Sequence, residues 1–331
     1  MQLAVGCAIS ALAVYYLLRQ VALDQLGQVL THSQPLAIAL LVLTVMGSLI
    51  TRAARWQVYF LPHHRVPFGP AFGTLSISYM ASTFLPFRAG ELIRALFLGQ
   101  RQNLAVPRVV GTIVLEKLFD FLAIGVMLLA LVLLTPLPSA ALAAGISIAS
   151  VILLGFGFVV ALAIWRAPTL ALVERLERVL PFSLGPRLKL SLSVRQFAQG
   201  TDSLREGGLW VQLLFWTTLT WIFSVASGWA GTQAVGINAG LPVLLFLTVI
   251  TSTGQAVPSS PGYVGVYHAA ATFALTSFGF DPALALGSAI LTHAFSYGSL
   301  VIVGLLALWT GGYTLSDLLV GVRRPAAATS S

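Results

Sequence analysis

Apolar runs of about the length that crosses a bilayer recur along this chain, at 3–18, 36–58, 109–134, 141–165, 209–234, 241–257, 264–279 and 284–309. In hydrocarbon every backbone N–H and C=O must be satisfied within the protein, so such runs fold as helices. The expected fold class is an all-α, polytopic integral membrane protein with about eight transmembrane helices. A mean hydropathy of +0.91, with 8% charged and 57% hydrophobic residues, excludes a soluble domain.

The segment 67–87 is long enough to be a ninth span, but Pro67, Pro70 and Pro86 and the hydroxyls of Ser76, Ser78, Ser82 and Thr83 interrupt it. A re-entrant or broken helix fits these residues better than a regular span. The first run has no basic leader before it and is followed by further spans, so it reads as a retained helix and not as a signal peptide.

The charge distribution gives an orientation. Of 18 basic residues only Lys117 and Lys189 are lysines. Arg52, Arg55 and Arg65, then Arg94, Arg101 and Arg108, then the basic residues from Arg166 to Arg205, and finally Arg323 and Arg324 fall on one side of the bilayer if 67–87 re-enters. The opposite loops, 19–35, 135–140, 235–240 and 280–283, carry only Arg19. By the positive-inside rule both termini are then cytoplasmic, in a bacterial inner membrane. The formal charge of +8 points to inner-leaflet lipid as a partner and not to nucleic acid, for which no motif is present. Cys7 is the single cysteine, so neither a disulfide nor a thiolate metal site is expected, and no cofactor motif or ATP-binding loop is present.

The loop 166–208 divides a single transmembrane domain, 1–315, into halves of about 1–165 and 209–315. Within it Val173, Leu176, Val179 and Leu180 recur at helical spacing beside Glu174, Arg175, Glu177 and Arg178, and Leu190, Val194 and Phe197 repeat the pattern. Two amphipathic helices on the cytoplasmic side are expected, either packed on the spans or lying on lipid. The tail 316–331 reads as disordered.

Three polar features stand out. Pro86, Arg88, Gly90, Glu91 and Arg94 lie together in Phe84–Leu96, between apolar runs. Glu116 and Asp120 lie inside the run 109–134; at ~1.5 Å per residue from Arg108 they are ~12 and ~18 Å deep. They share a helix face at i, i+4, so they need a cationic partner such as Arg88 or Arg94, a bound proton, or water. A structural ion-pair network and a functional site both satisfy that need. The third feature is Gln255–His268, where Pro258, Pro261, Gly262 and Gly265 break the helix and Ser259 and Ser260 can cap the next one. It is either a tight cytoplasmic turn or a helix start whose N–H groups face an anion. Arg52, Arg55 and Trp56 read as an interfacial anchor, His63–His64 lacks further metal ligands, and His293 reads as a hydrogen-bonded bundle residue. His268 lies beside the second break. One interruption in each half is the pattern of an inverted-repeat transporter with its site between the halves.

The run Leu85-Pro-Phe-Arg-Ala-Gly-Glu-Leu-Ile-Arg94, followed by Glu116 to Asp120 and by Pro261-Gly-Tyr-Val-Gly265, resembles the membrane part of the lysylphosphatidylglycerol synthase/flippase family, over about residues 1–315. The resemblance implies movement of a phospholipid, an aminoacyl-lipid or a polyprenyl-phosphate-linked glycolipid between leaflets, with no catalytic residue. It carries a substrate-binding role to Arg88, Glu91, Arg94, Glu116, Asp120, Pro261, Gly262 and Gly265, to which the residues themselves add Ser259, Ser260 and His268. His268 stands where many members have an acid, and 331 residues leave no room for the aminoacyl-transferase domain, so lipid synthesis is not expected. A membrane glycosyltransferase or its accessory subunit remains an alternative, although only Asp24 and Asp281 offer outer-loop acids. A proton-coupled solute transporter using Asp120 is another. A homo-oligomer or a partner lipid-modifying enzyme is compatible with either.

Overall fold

The computed structural model describes residues 2–85, 89–135, 139–165, 171, 190–255 and 259–311. Arg88, the first amphipathic stretch at 173–180 and the tail 316–331 lie outside the described residues.

Twelve α-helices and no strand are formed by the described residues. They are α1 (Gln2–Gln20), α2 (Leu23–Thr31), α3 (Pro35–Tyr59), α4 (Phe68–Phe84), α5 (Ala89–Arg101), α6 (Val106–Leu134), α7 (Ser139–Ile164), α8 (Leu190–Gln199), α9 (Gly207–Gln233), α10 (Leu241–Gly254), α11 (Val266–Thr276) and α12 (Pro282–Thr310). Four of them, α3, α6, α9 and α12, are long and apolar enough to cross a membrane. Proline stands in the first turn of all four except α9, where its missing N–H removes no helical bond. At α12 the Asp281 carboxylate also accepts from the N–H groups of Ala283 and Leu284, at 2.8 and 3.0 Å.

The runs 241–257 and 264–279, expected as separate spans, are instead α10, 14 residues, and α11, 11 residues. At ~1.5 Å per residue they are ~21 and ~16 Å long, short of the ~30 Å hydrocarbon core. They fold back on each other: a Cβ on Gly254 would lie 3.3 Å from Ala270, and Val243, Leu247, Ala271 and Leu275 share one apolar cluster. The proline and glycines of the break, not the apolar count, set this length.

An equivalent hairpin is made by α4 and α5. Ile77, Met80 and Ala81 of α4 pack on Ile93 and Phe97 of α5, and a Cβ on Gly90 would run into the Ser78 carbonyl and the Ser82 hydroxyl. The interruption expected at 67–87 is thus one arm of a helical hairpin.

Each half therefore reads long helix, hairpin, long helix: α3, α4–α5, α6, then α9, α10–α11, α12. The packing also interchanges. Helix α6 lies on α10, α12 lies on α4, and α3 pairs with α9. The α3–α9 seam is antiparallel and lined with hydroxyls: Ser227 donates to Thr44 at 3.1 Å, Ser48 meets Ser224 at 3.4 Å, and Thr220 donates to Thr51 at 3.0 Å. Small polar residues let two apolar helices approach closely where water-driven association is absent. Exchange of the halves leaves this scheme unchanged, which is the arrangement an inverted repeat produces. Outside it, α7 covers α6 through Phe156 and Phe119, with ring centroids 5.6 Å apart. Helix α8 lies across the start of α6, where Gly111 and Gly200 bring the two backbones together.

Candidate functional site

The charged side chains of the first half converge where α3, α5, α6 and α9 meet. Arg52 and Arg55, at i, i+3 on α3, face the same neighbour. Arg55 Nη2 donates to Asp120 Oδ1 at 2.9 Å, and Arg52 Nη1 reaches Asp120 Oδ2 at 3.4 Å. Arg55 Nη1 also reaches the Thr217 hydroxyl of α9 at 3.4 Å. Arg94 of α5 pairs with Glu116 of α6 and stacks its guanidinium 3.8 Å above the Trp56 ring. Trp56 is fixed in turn by its indole N–H, which donates to Thr112 at 3.0 Å. Lys117 and Glu91 form a third pair at 2.7 Å.

Glu116 and Asp120 thus share a face of α6 without an unrelieved repulsion, because each has its own cation. The sequence expectation that Arg94 partners one of these acids is met at Glu116. Asp120 differs: its partners are Arg52 and Arg55, which the sequence placed as interfacial anchors. Arg55 and Trp56 are fully buried. Helix continues through Tyr59, and its last turns cross α6, so the arginines meet an acid from another helix before they can reach an interface. The available signal was arithmetic: two acids on one span face require more cationic partners than Arg94 supplies.

Accessibility separates two layers. Arg55, Arg94 and Glu116 are closed off, at 2% or less of their side-chain surface. Arg52 and Asp120 retain 18% and 16%, and Lys117 and Glu91 about a third, at 32% and 30%. Arg52 also lies 5.8 Å over the Trp221 ring. Four cations stand against three carboxylates, so the described cluster holds a surplus positive charge. Several of its polar atoms, Arg55 Nε, Arg94 Nε, Glu116 Oε1 and Tyr59 Oη, are buried without a hydrogen-bond partner among the described residues.

The second break lies against the tip of the first hairpin. A Cβ at Gly262 would stand 3.4 Å from the Thr83 carbonyl oxygen, and one at Gly265 would run against the Ser10 backbone of α1. Both glycines have positive φ, +71° and +86°, which a side chain would strain. Three N–H groups of this break are engaged inside the protein. Ser260 N donates to Ser10 Oγ at 2.9 Å, Tyr263 N to the Ser260 carbonyl at 3.0 Å, and Gly265 N to His268 Nδ1 at 3.3 Å. The Ser260 hydroxyl donates to the Val264 carbonyl at 3.1 Å, and Ser259 Oγ is buried without a partner among the described residues. Ser259 and Ser260 thus precede a 3₁₀ turn, Pro261–Tyr263, and do not cap the helix, which starts at Val266.

The sequence site residues therefore divide into two groups: Glu91, Arg94, Glu116 and Asp120 in the charged cluster, and Ser259, Ser260, Gly262, Gly265 and His268 at the second tip. Arg52, Arg55, Trp56, Lys117, His293 and Tyr297 join them from the structure.

The family profile described as "Lysylphosphatidylglycerol synthase TM region" matches residues 3–304. Among curated proteins, the chain is similar to one named "Glycosyltransferase AglD" from Haloferax volcanii, 26% identical over 321 residues, covering 87% of this chain and 51% of the relative. The chain spans about half the length of that relative.

Proposed function

Because the chain belongs to the lysylphosphatidylglycerol synthase transmembrane family, we propose that it binds a lipid with a phosphate-bearing headgroup between its two halves and carries that headgroup across the bilayer. The observation that carries this reading is the surplus of one cation in the described charged cluster, where Arg52 and Arg55 share Asp120 and Arg52 stays accessible. Charge inside a span is expensive unless paired, and a wet site for an anion explains one cation beyond the carboxylates. Arg52 and Lys117, the accessible cations, contact the phosphate. The buried pairs Arg55–Asp120 and Arg94–Glu116 hold α3, α5 and α6 in the geometry that presents them. Asp120 and Glu91 stand opposite as exchangeable partners, so that each cation keeps a carboxylate when the lipid has left.

On this reading the protein is a transporter and not a catalyst, lies in the cytoplasmic membrane with both termini inside, and meets its substrate in the inner leaflet. The test is reconstitution in vesicles of defined lipid, with movement of a labelled phosphate lipid compared with that of a labelled phosphate-free, uncharged glycolipid. Lipid extracted with the purified protein is identified by mass spectrometry. Movement of both lipids at equal rates removes the phosphate site from the reading.

The relative named as a glycosyltransferase supports a second reading, in which this chain is the membrane part or accessory subunit of an enzyme using a polyprenyl-phosphate sugar. Transfer of sugar by the purified chain from such a donor distinguishes it from transport.

A further inference from the structure

The equivalent placing of α6 and α12 gives the two halves a common residue register. With α6 and α12 in equivalent places, Gly111-Thr-Ile-Val-Leu-Glu-Lys-Leu-Phe-Asp-Phe121 aligns with Gly287-Ser-Ala-Ile-Leu-Thr-His-Ala-Phe-Ser-Tyr297. Pro86 and Gly90 likewise match Pro261 and Gly265, four residues apart in both. In this register Glu116, Lys117 and Asp120 correspond to Thr292, His293 and Ser296. Where the first half holds ion pairs, the second holds neutral polar and aromatic groups.

Those groups are gathered. The His293 ring stacks on Tyr297 with centroids 4.2 Å apart and lies 4.8 Å from His268 and 5.2 Å from Tyr267. Tyr263, at φ +58°, is held in the left-handed region by the turn, and its ring lies 6.4 Å from that of Tyr297. The Tyr297 hydroxyl donates to Gln255 at 3.3 Å. The tautomers follow from the partners. His293 Nε2 lies 2.7 Å from the Gly262 carbonyl, which only accepts, so Nε2 carries the proton and Nδ1 of the neutral ring is an acceptor. His268 Nδ1 accepts from Gly265 N, so its Nε2 is a donor. Both histidines and the three tyrosines are half-buried, although His293 and Tyr297 lie well inside a span. Polar rings so placed need a wet space.

We propose that Tyr263, Tyr297, His268, His293 and Gln255 form a second subsite that takes an uncharged, hydroxyl-bearing ring, a sugar joined to the lipid phosphate. Aromatic faces pack on the apolar face of such a ring, while a neighbouring histidine donor and acceptor match hydroxyls, which do both. The cluster is built of tyrosine, histidine and glutamine side chains with no Arg, Lys, Asp or Glu among its members, so it favours an uncharged group over a charged one. The inference rests on the lipid-phosphate reading and names the rest of its headgroup: the phosphate sits in the charged half and the sugar in the neutral half.

The test uses the full chain in nanodiscs, with a short-chain polyprenyl phosphate and the same lipid carrying one hexose as probes, and titration calorimetry as the readout. Wild type should bind the hexose lipid more tightly. Tyr297→Leu and, on the turn, Tyr263→Leu should each weaken the hexose lipid about tenfold while changing the bare phosphate lipid less than about twofold, the scale of one lost contact. Two variants are used so that failure of one to fold leaves the other as the measurement. Equal wild-type affinity for the two lipids, equal weakening of both in the variants, or preference for lysylphosphatidylglycerol over the hexose lipid overturns the subsite and leaves the phosphate reading standing. Binding of none of these lipids overturns the phosphate reading and the subsite with it.

Discussion

Arg55 donates from Nη2 to Asp120 Oδ1 at 2.9 Å, joining α3 to α6 through a guanidinium that is fully buried. Two residues separated by much of the first half thus become one electrostatic unit, with Arg52 as its accessible edge. Arg55 also reaches the Thr217 hydroxyl of α9 at 3.4 Å. It therefore ties the charged cluster to the contact between the halves.

Removal of one partner is the direct test of that unit. Asp120→Asn leaves a buried guanidinium without its counter-charge, a loss of roughly 3–5 kcal/mol when a buried pair is broken. Thermal unfolding in detergent should show a marked fall in Tm, and Asp120→Asn combined with Arg55→Met should recover part of it. A single variant with unchanged Tm shows that the carboxylate is not the structural partner of Arg55.

Arg94 and Arg52 should respond differently to the same conservative change. Lysine at 94 keeps the charge beside Glu116 but loses the planar stack on Trp56, worth about 0.5–2 kcal/mol. Arg94→Lys should lower Tm. Arg52→Lys, on the accessible edge, should leave Tm near wild type while weakening phosphate-lipid binding about tenfold. Binding by calorimetry and unfolding by scanning, measured on both variants, separate the two roles.

The hairpin tips tolerate no added side chain. Gly90→Ala places a methyl against the Ser78 backbone, and overpacking of this kind costs about 1–3 kcal/mol. Gly265→Ala adds a positive φ to a clash with Ser10. Both should reduce folded yield on size exclusion, while Gly69→Ala, with open space around it, should not.

Topology follows from the arginine distribution. A reporter fused after Gly312 and one inserted near Gly185 should both give an internal signal. An external signal from either overturns the assignment of both termini and the 166–208 loop to the cytoplasmic side.

The sequence by itself determined the class. Runs with the hydropathy of α3, α6, α9 and α12 have one way to satisfy their backbone in lipid, and Pro86 with Gly90 and Pro261 with Gly265 mark where a helix must break. It also located most of the charged cluster, because Glu91, Arg94, Glu116 and Asp120 are conspicuous in a chain with so few charges. Pairing was decided only by the tertiary structure. Arg52 and Arg55 look like interfacial anchors until the end of α3 crosses α6, and a guanidinium's partner depends on which helix stands within the reach of its side chain. The lengths of α10 and α11 and the meeting of the two hairpin tips were hidden for the same reason. Hydropathy records that a segment is buried, and the identity of the group beside it is a property of helix packing.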